Sequence, residues 1–454
     1  MRSPGRIPRS AEAVEAVLDL PVVELRDRLA AGAVRAAEVA DAVNARIARL
    51  DPDLRAFVHH DAATLARTAT MLDAHRTSQR PLGRLHGLPV ALKDVIDTRD
   101  MPTENGAAAD AGRRPDRDAT LVELLRREGA LIVGKTATAE LAYLAPPATR
   151  NPHDAALTPG GSSSGSAVAV AASMVPLAVG TQTGGSVIRP AAFCGTVGYK
   201  PTFGAIPRTG VLSQSPSLDT IGVFAREIEG AALLASSMFG PEPGADALPV
   251  AAPDLLAAAR TVPPVEPTFA ILRTPWWDQV DDATRAAWNE LEGVLGAGAF
   301  AIDLPEPFPR AVELRRMIND AEMARAFARY ARHPEALSDE LRAALERGAR
   351  VLAHDYLAAL EWRDAMRLGL ASVFERCDAV LTPAAPGIAP DRSTTGSSAF
   401  NALWTMVGAP ALTLPLMSDE RGLPLGIQMV SRPGDDARLV RNAAWLERRL
   451  EAGS

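Results

Sequence analysis

Two clusters of glycine and serine, Thr158 to Ser166 and Gly184-Gly185-Ser186, bracket an Ala/Val-rich run in this chain. Glycine where other residues would pack better means that backbone must come close to something. The serines beside those glycines supply hydroxyls. Such a pair is either two turns, or a nucleophile with backbone N–H groups aimed at an oxyanion. The rest of the chain bears on the choice.

At 454 residues the chain can bury a large core, as one big α/β domain or as two to three smaller ones. A formal net charge of −7, with no basic block and no acidic tail, argues against nucleic acid as the main partner. Cys194 and Cys377 are far apart in apolar contexts and read as buried thiols of a reducing compartment. No spacing of His and Cys suggests a metal. The first residues are basic but lack an apolar signal segment, and the run Ala167 to Gly180 is too short to span a bilayer. The expectation is a cytoplasmic protein without a membrane segment.

Of 48 basic residues only three are lysine, Lys93, Lys135 and Lys200; the other 45 are arginine. Arginine stays protonated in proteins, whereas a buried lysine can lose its proton. All three lysines lie in one third of the chain, around the Gly/Ser clusters. Lys93 stands in the apolar strand Leu85 to Ile96. It either sends its head to the surface beside Asp94 or is desolvated, with a lowered pKa.

Apolar spacing predicts helices at 23–29, stopped at Gly32, at 36–50, ended by Asp51-Pro52, and at 61–75. Another covers 119–128, followed by a strand at 130–133. Gly129 to Thr136 formally fits a P-loop, but its four central residues are strand-forming and a charged helix precedes it, so nucleotide binding is rejected. The Pro/Ala-rich stretch 242–267 reads as surface, 269–272 as a strand, and 281–295, 308–331, 335–348 and 352–376 as helices. Trp276 and Trp277 suit aromatic packing. Strands follow at 379–383, 411–415 and 422–430, then a last helix at 434–450.

Gly161-Ser162-Ser163-Ser164-Gly165 also fits the GxSxG elbow, with Ser163 as nucleophile and His333 or His354 as base. The elbow needs a strand just before it, and here the preceding residues are loop-like. A buried helix capped at its N-terminus suits Ala167 to Ala172 better. Ser186 is the stronger nucleophile: it follows the strand Leu177 to Val179, and its glycine pair lets N–H groups face one point.

At these residues the chain resembles the amidase signature family of serine amidases. The resemblance rests on Gly160-Gly161-Ser162-Ser163, the spacer, Thr181-Gln182-Thr183-Gly184-Gly185-Ser186, then Pro190, Phe193, Cys194, Gly195 and Lys200-Pro201-Thr202. Upstream, His86-Gly87-Leu88-Pro89-Val90-Ala91-Leu92-Lys93-Asp94 is similar to the family's lysine strand. The likeness is dense from 81 to 225, recognisable at 20–75 and 378–448, and thin between. It implies a single α/β/α domain over 1–454 with a mixed central sheet covered by helices on both faces. The signature core would be 81–225, a variable helical region that shapes the acyl pocket 226–376, and a return to the sheet 377–450.

The resemblance further implies a catalytic triad of Lys93, Ser162 and Ser186, with a cis peptide bond before Ser162. Thr183, Gly184, Gly185 and Ser186 would form the oxyanion hole, and Gly161, Ser163 and Gln182 would support the site or touch substrate. No cofactor or metal is implied, the substrate is a small-molecule amide, and a homodimer is the family-level expectation. Many members carry aspartate at the position of Gln182 and arginine at that of Ile188; here the arginine comes one residue later, as Arg189. The leading expectation is a stand-alone amidase. The alternatives are the glutaminase subunit of a tRNA-dependent amidotransferase, which needs partner chains, and a non-catalytic binding protein on the same fold.

Overall fold

The computed structural model describes residues 15–243, 252–273 and 275–452. Eleven strands form one mixed sheet: β1 (Phe57–His60), β2 (Pro89–Lys93), β3 (Leu131–Thr136), β4 (Leu177–Gln182), β5 (Val197–Lys200), β6 (Thr220–Ala225), β7 (Phe269–Leu272), β8 (Ala299–Ile302), β9 (Ala379–Pro383), β10 (Ala411–Ser418) and β11 (Pro424–Val430). Across the sheet they run β1-β3-β2-β4-β6-β5-β10-β11-β9-β7-β8. β2 is parallel to both β3 and β4, while β6 returns antiparallel to β4.

Every residue of β2, β4, β5, β6 and β9 is buried. Side chains alternate between the faces of a strand, so unbroken burial requires cover on both sides. Helices supply it, among them Ser164–Ala171 against β4 and β2, Ile228–Ser236 against β6 and Asp436–Glu451 against β10. This is the expected α/β architecture.

Because β2, β3 and β4 run in parallel, their carboxyl ends open at one edge of the sheet, where α/β proteins keep their ligands. Lys93 is the last residue of β2, paired in register with Thr136, and Ser186 follows the end of β4 by four residues. The Gly/Ser cluster of 158–166 lies between them in sequence and starts the helix Ser164–Ala171.

Several local expectations change. The helix from Ala36 runs through Pro52 to Leu54 and ends at Arg55 in the left-handed region, φ 52°. Pro52 removes only its own N–H, and the closing bond from Arg55 N to Asp51 O survives at 2.8 Å. Asp51 Oδ1 then accepts from the N–H groups of Ala56 and Phe57. Gly134-Lys135-Thr136 belongs to β3, in accord with the rejected P-loop. Within 242–267, residues 244–251 lie outside the described residues, and the helix Leu255–Arg260 buries Leu255 and Ala259 rather than lying on the surface. β8 and the helix Ala399–Met406 have no counterpart in the expectations. Trp277 stacks on Trp288 with ring centroids 6.4 Å apart, a packing role. Both cysteines are free and buried.

Candidate active site

Lys93 is completely buried. Its Nζ donates to Ser162 Oγ at 2.7 Å and to Thr181 Oγ1 at 2.8 Å. The surface reading of Lys93 is therefore overturned, and Asp94 is paired instead with Lys135, 3.4 Å away. Burial holds the Lys93 ammonium down to about 7, against an opposing pull from the carboxylate of Asp219. The two other lysines are equally buried, but neither reaches Ser162 or Ser186. Lys135 donates to Ile96 O and Thr103 Oγ1, each at 2.6 Å, and Lys200 to Ala409 O at 2.6 Å.

The Gly161–Ser162 peptide bond is cis. Gly161 O accepts from Arg189 Nη2 at 2.7 Å, and Ser162 O accepts from Ala139 N at 3.1 Å. Both bonds fix the turn that aims the Ser162 hydroxyl at Lys93. Gly160 has φ +79°, and a Cβ there would stand 2.8 Å from Pro190 Cα, so the glycine is required for the close approach of the two clusters. Ser163 is wholly buried and precedes the helix, whose expected N-terminal cap bond its hydroxyl does not make. Its Oγ is turned into the sheet, donating to Thr181 O at 3.1 Å and accepting from Thr181 N at 3.3 Å. Ser163 therefore ties the helix to β4. His333 and His354 stand at the surface, 72% and 88% exposed, facing Glu335 and Asp355, which removes the elbow reading.

Ser186 is 8% exposed on the turn between β4 and the helix Ile188–Cys194, and among the described residues its hydroxyl makes no hydrogen bond. The Ser162 hydroxyl meets Lys93 but not Ser186 within hydrogen-bond reach. Gln182 braces that turn from beneath: Oε1 accepts from Val187 N at 2.8 Å and Ile188 N at 3.0 Å, and Nε2 donates to Thr405 Oγ1 at 2.9 Å. Thr405 Oγ1 in turn donates to Gly184 O at 2.6 Å. An aspartate here could accept from the same two amides, but only the amide side chain can also donate to Thr405. Thr183 Oγ1 donates to Asp219 Oδ1 at 2.6 Å. At Gly185 a Cβ would stand 2.2 Å from Asn401 Oδ1, so that position admits no side chain without displacing Asn401.

A cavity of 210 Å³ opens beside this turn, lined by Thr181, Thr183, Gln214 and Asp219 among others. A larger one, 740 Å³, is lined by Asp51, Phe57, Glu140 and their neighbours; of the two, the smaller is the one that meets Thr181, the hydroxyl bonded to Lys93. Sequence reasoning missed Thr181, Asp219, Arg315, Ser398 and Asn401. Thr181 stood in the motif without a role and Asp219 outside it, and a count of hydroxyls beside Lys93 would have drawn attention to Thr181. No signal in sequence brings residues 315 to 401 to the turn.

A strand-end lysine, a serine on a cis turn and a serine beside two glycines thus stand at the carboxyl ends of β2 and β4. The model of the amidase family matches residues 38–440, and the chain belongs to that family, hydrolases of carbon–nitrogen bonds other than peptide bonds. It is 34% identical over 479 residues to a glutamyl-tRNA(Gln) amidotransferase subunit of Solidesulfovibrio magneticus, covering 95% of this chain and 97% of that one. Among solved structures it resembles a chain of an "unexpected vestigial protein complex" tied to the origins of an s-triazine catabolic enzyme, with TM-score 0.87, 27% identity and coverage of 94% and 98%. It also resembles the peptide amidase of Stenotrophomonas maltophilia, with TM-score 0.82, 28% identity and coverage of 95% and 97%. Among the described residues no helix is long and apolar enough to cross a membrane.

Proposed function

We propose that the chain cleaves a carboxylic amide through Ser186, Ser162 and Lys93, with an acyl-enzyme intermediate. The observation that carries this reading is the 2.7 Å contact of the Lys93 amine with Ser162 Oγ in a site closed to water. As substrate binds, Ser186 Oγ comes within reach of Ser162 Oγ. Neutral Lys93 takes the Ser162 proton while Ser162 takes that of Ser186, and Ser186 Oγ bonds to the carbonyl carbon. The N–H groups of Thr183, Gly184, Gly185 and Ser186 receive the oxyanion. When the C–N bond breaks, the proton on Lys93 returns through Ser162 to the leaving nitrogen, releasing ammonia or an amine. Water, activated by the same relay, then frees the acid and restores Ser186. One sheet running from β1 to β11 supports reading the chain as a single domain, with 226–376 shaping the acyl side.

Two settings share this chemistry. The curated relatives, similar over nearly the whole chain, support a glutaminase subunit of a tRNA-dependent amidotransferase more than a stand-alone amidase. The shift of the arginine to Arg189 and the uncharged Gln182 support the stand-alone enzyme. Co-purification with partner chains and glutamine-dependent transfer to a charged tRNA identifies the first; turnover of small amides by the chain alone identifies the second.

The test of the chemistry is a panel of small amides, glutamine included, together with labelling by a fluorophosphonate. Labelling of native protein but not of Ser186→Ala is expected. A native protein that resists the probe and turns over nothing would restore the binding-protein reading. The proton relay also sets a pH dependence. Since Lys93 must be neutral to act, and burial holds it to about 7, kcat/KM should rise about tenfold per pH unit below 7 and level off above it. A profile flat from pH 5 to 8 would remove Lys93 as base.

A further inference from the structure

The backbone ladder between β4 and β6 ends at Gln182, paired in register with Thr220. One residue further on, side chains continue it: Thr183 Oγ1 donates to Asp219 Oδ1 at 2.6 Å. The other carboxylate oxygen of Asp219 accepts from Gln214 N and Ser215 N, each at 2.9 Å, and its backbone O accepts from Arg208 Nη1, also at 2.9 Å. Asp219 is 8% exposed. All three partners of its side chain donate, so the site calls for a group that accepts at both oxygens.

A carboxylate is costly at such a place. Burial pushes Asp219 up to about 6, and the bonds from Thr183 and the Ser215 and Gln214 amides pull the other way. An asparagine oxygen would close the loop at Gln214 and Ser215 as well, as side chains do in Asx turns. The second carboxylate oxygen is needed only for Thr183.

The turn that carries Ser186 is pinned elsewhere through other atoms. Gln182 holds Val187 N and Ile188 N, Thr405 holds Gly184 O, and Arg189 N donates to Gly185 O at 2.9 Å. Arg315 and Asn401 pack on its glycines: a Cβ would stand 3.3 Å from Arg315 Nη1 at Gly184 and 2.2 Å from Asn401 Oδ1 at Gly185. All these contacts fall at or after Gly184. Thr183 comes first of the four residues whose N–H groups are read as the oxyanion hole, and it has the Asp219 bond instead. Both residues line the 210 Å³ cavity together with Thr181, whose hydroxyl accepts from Lys93.

We propose that Asp219 is a positioning residue: by accepting the Thr183 hydroxyl it fixes the entry of the turn, so that the N–H groups of Thr183 and Gly184 already point at the oxyanion before it forms. The inference rests on the reading of Ser186 as nucleophile. Asp219 exchanges no proton with the substrate; its effect is on aim. Donors of this kind act by being in place beforehand, and a displacement of about 1 Å costs on the order of 100-fold in rate.

The experiment follows the rate at which a fluorophosphonate labels Ser186, since its phosphoryl oxygen makes the same demand on the hole as an amide oxyanion. Labelling carried to completion counts the active sites, so rates are compared per site. Thr183→Val keeps the shape of the side chain and removes only the bond. It should lower the saturating rate about 100-fold and leave the half-saturating probe concentration within about threefold. Thr183→Ser should recover most of that loss. Asp219→Asn should lose at least about 10-fold, and the double variant should be no slower than the slower single one, because both remove one interaction. A part in stability alone would lower the melting temperature and leave the rate per site native, which overturns the proposal. Losses that multiply in the double variant overturn it too. Should Asp219→Asn not fold, the Thr183 variants decide alone, and a native rate in Thr183→Val is fatal. Native protein that resists the probe strikes the nucleophile and this inference with it, whereas native labelling with unaffected variants strikes only the inference.

Discussion

Lys93→Met should lower kcat for amide hydrolysis by roughly 10⁴-fold or more while leaving the protein folded. The thioether chain keeps most of the lysine volume in a site that has no exposure, so packing around β2 is retained. What disappears is the amine that the proposed relay uses to accept and return a proton. Ser186→Ala should cost a similar factor, and the double variant little more than either alone, because groups that act as a unit are not additive. Lys93→Arg should be as inactive as Lys93→Met, since a guanidinium does not give up its proton. Steady-state rates, with melting temperature as the control for folding, decide the matter. A Lys93→Met enzyme within tenfold of native, or fully additive losses, would show that Lys93 and Ser186 do not share a relay.

The part of this site that local sequence carries was legible, and the part made by distant packing was not. Lysine is so scarce in the chain that each instance marks a place where arginine does not serve. The structure shows three buried amines, each in a pocket of oxygens, yet of the three only Lys93 reaches Ser162. Scarcity therefore pointed to burial rather than to catalysis, and the family resemblance made the choice among the three. The Gly/Ser clusters announced close backbone approach, and Gly160 against Pro190 is that approach. The capped helix start expected before Ala167 receives no bond from the Ser163 hydroxyl, because a serine before an apolar helix has two places to send its hydroxyl. The bare edge of β4 offered Thr181 N and O, and won. Arg315 was invisible because periodicity places it on a helix but says nothing of what the helix leans on.

Gly165→Ala should destabilise the protein by about 3 kcal/mol or more and take activity with it. The residue lies in the first turn of Ser164–Ala171, the helix that follows Ser162. An added Cβ would stand 2.2 Å from Ala56 O, 2.4 Å from Ala137 N and 3.0 Å from Ala137 O. All three are backbone atoms, and all three belong to bonds the fold depends on: Ala137 N donates to Ala56 O at 2.8 Å and Gly165 N to Ala137 O at 2.9 Å. No rotamer relieves the clash, so the helix must move away from the segments that follow β3 and precede β1. That movement carries Ser162 off Lys93, because only two residues separate Ser162 from Gly165. Gly293→Ala provides the contrast. Its Cβ would meet nothing within 4 Å, in the helix Asp282–Leu295, and a gain of about 0.5–1 kcal/mol is expected from helix propensity alone. Urea unfolding midpoints for the two variants should therefore move in opposite directions from native. If Gly165→Ala unfolds with the native midpoint and keeps its rate, the helix is not what holds Ser162 in place.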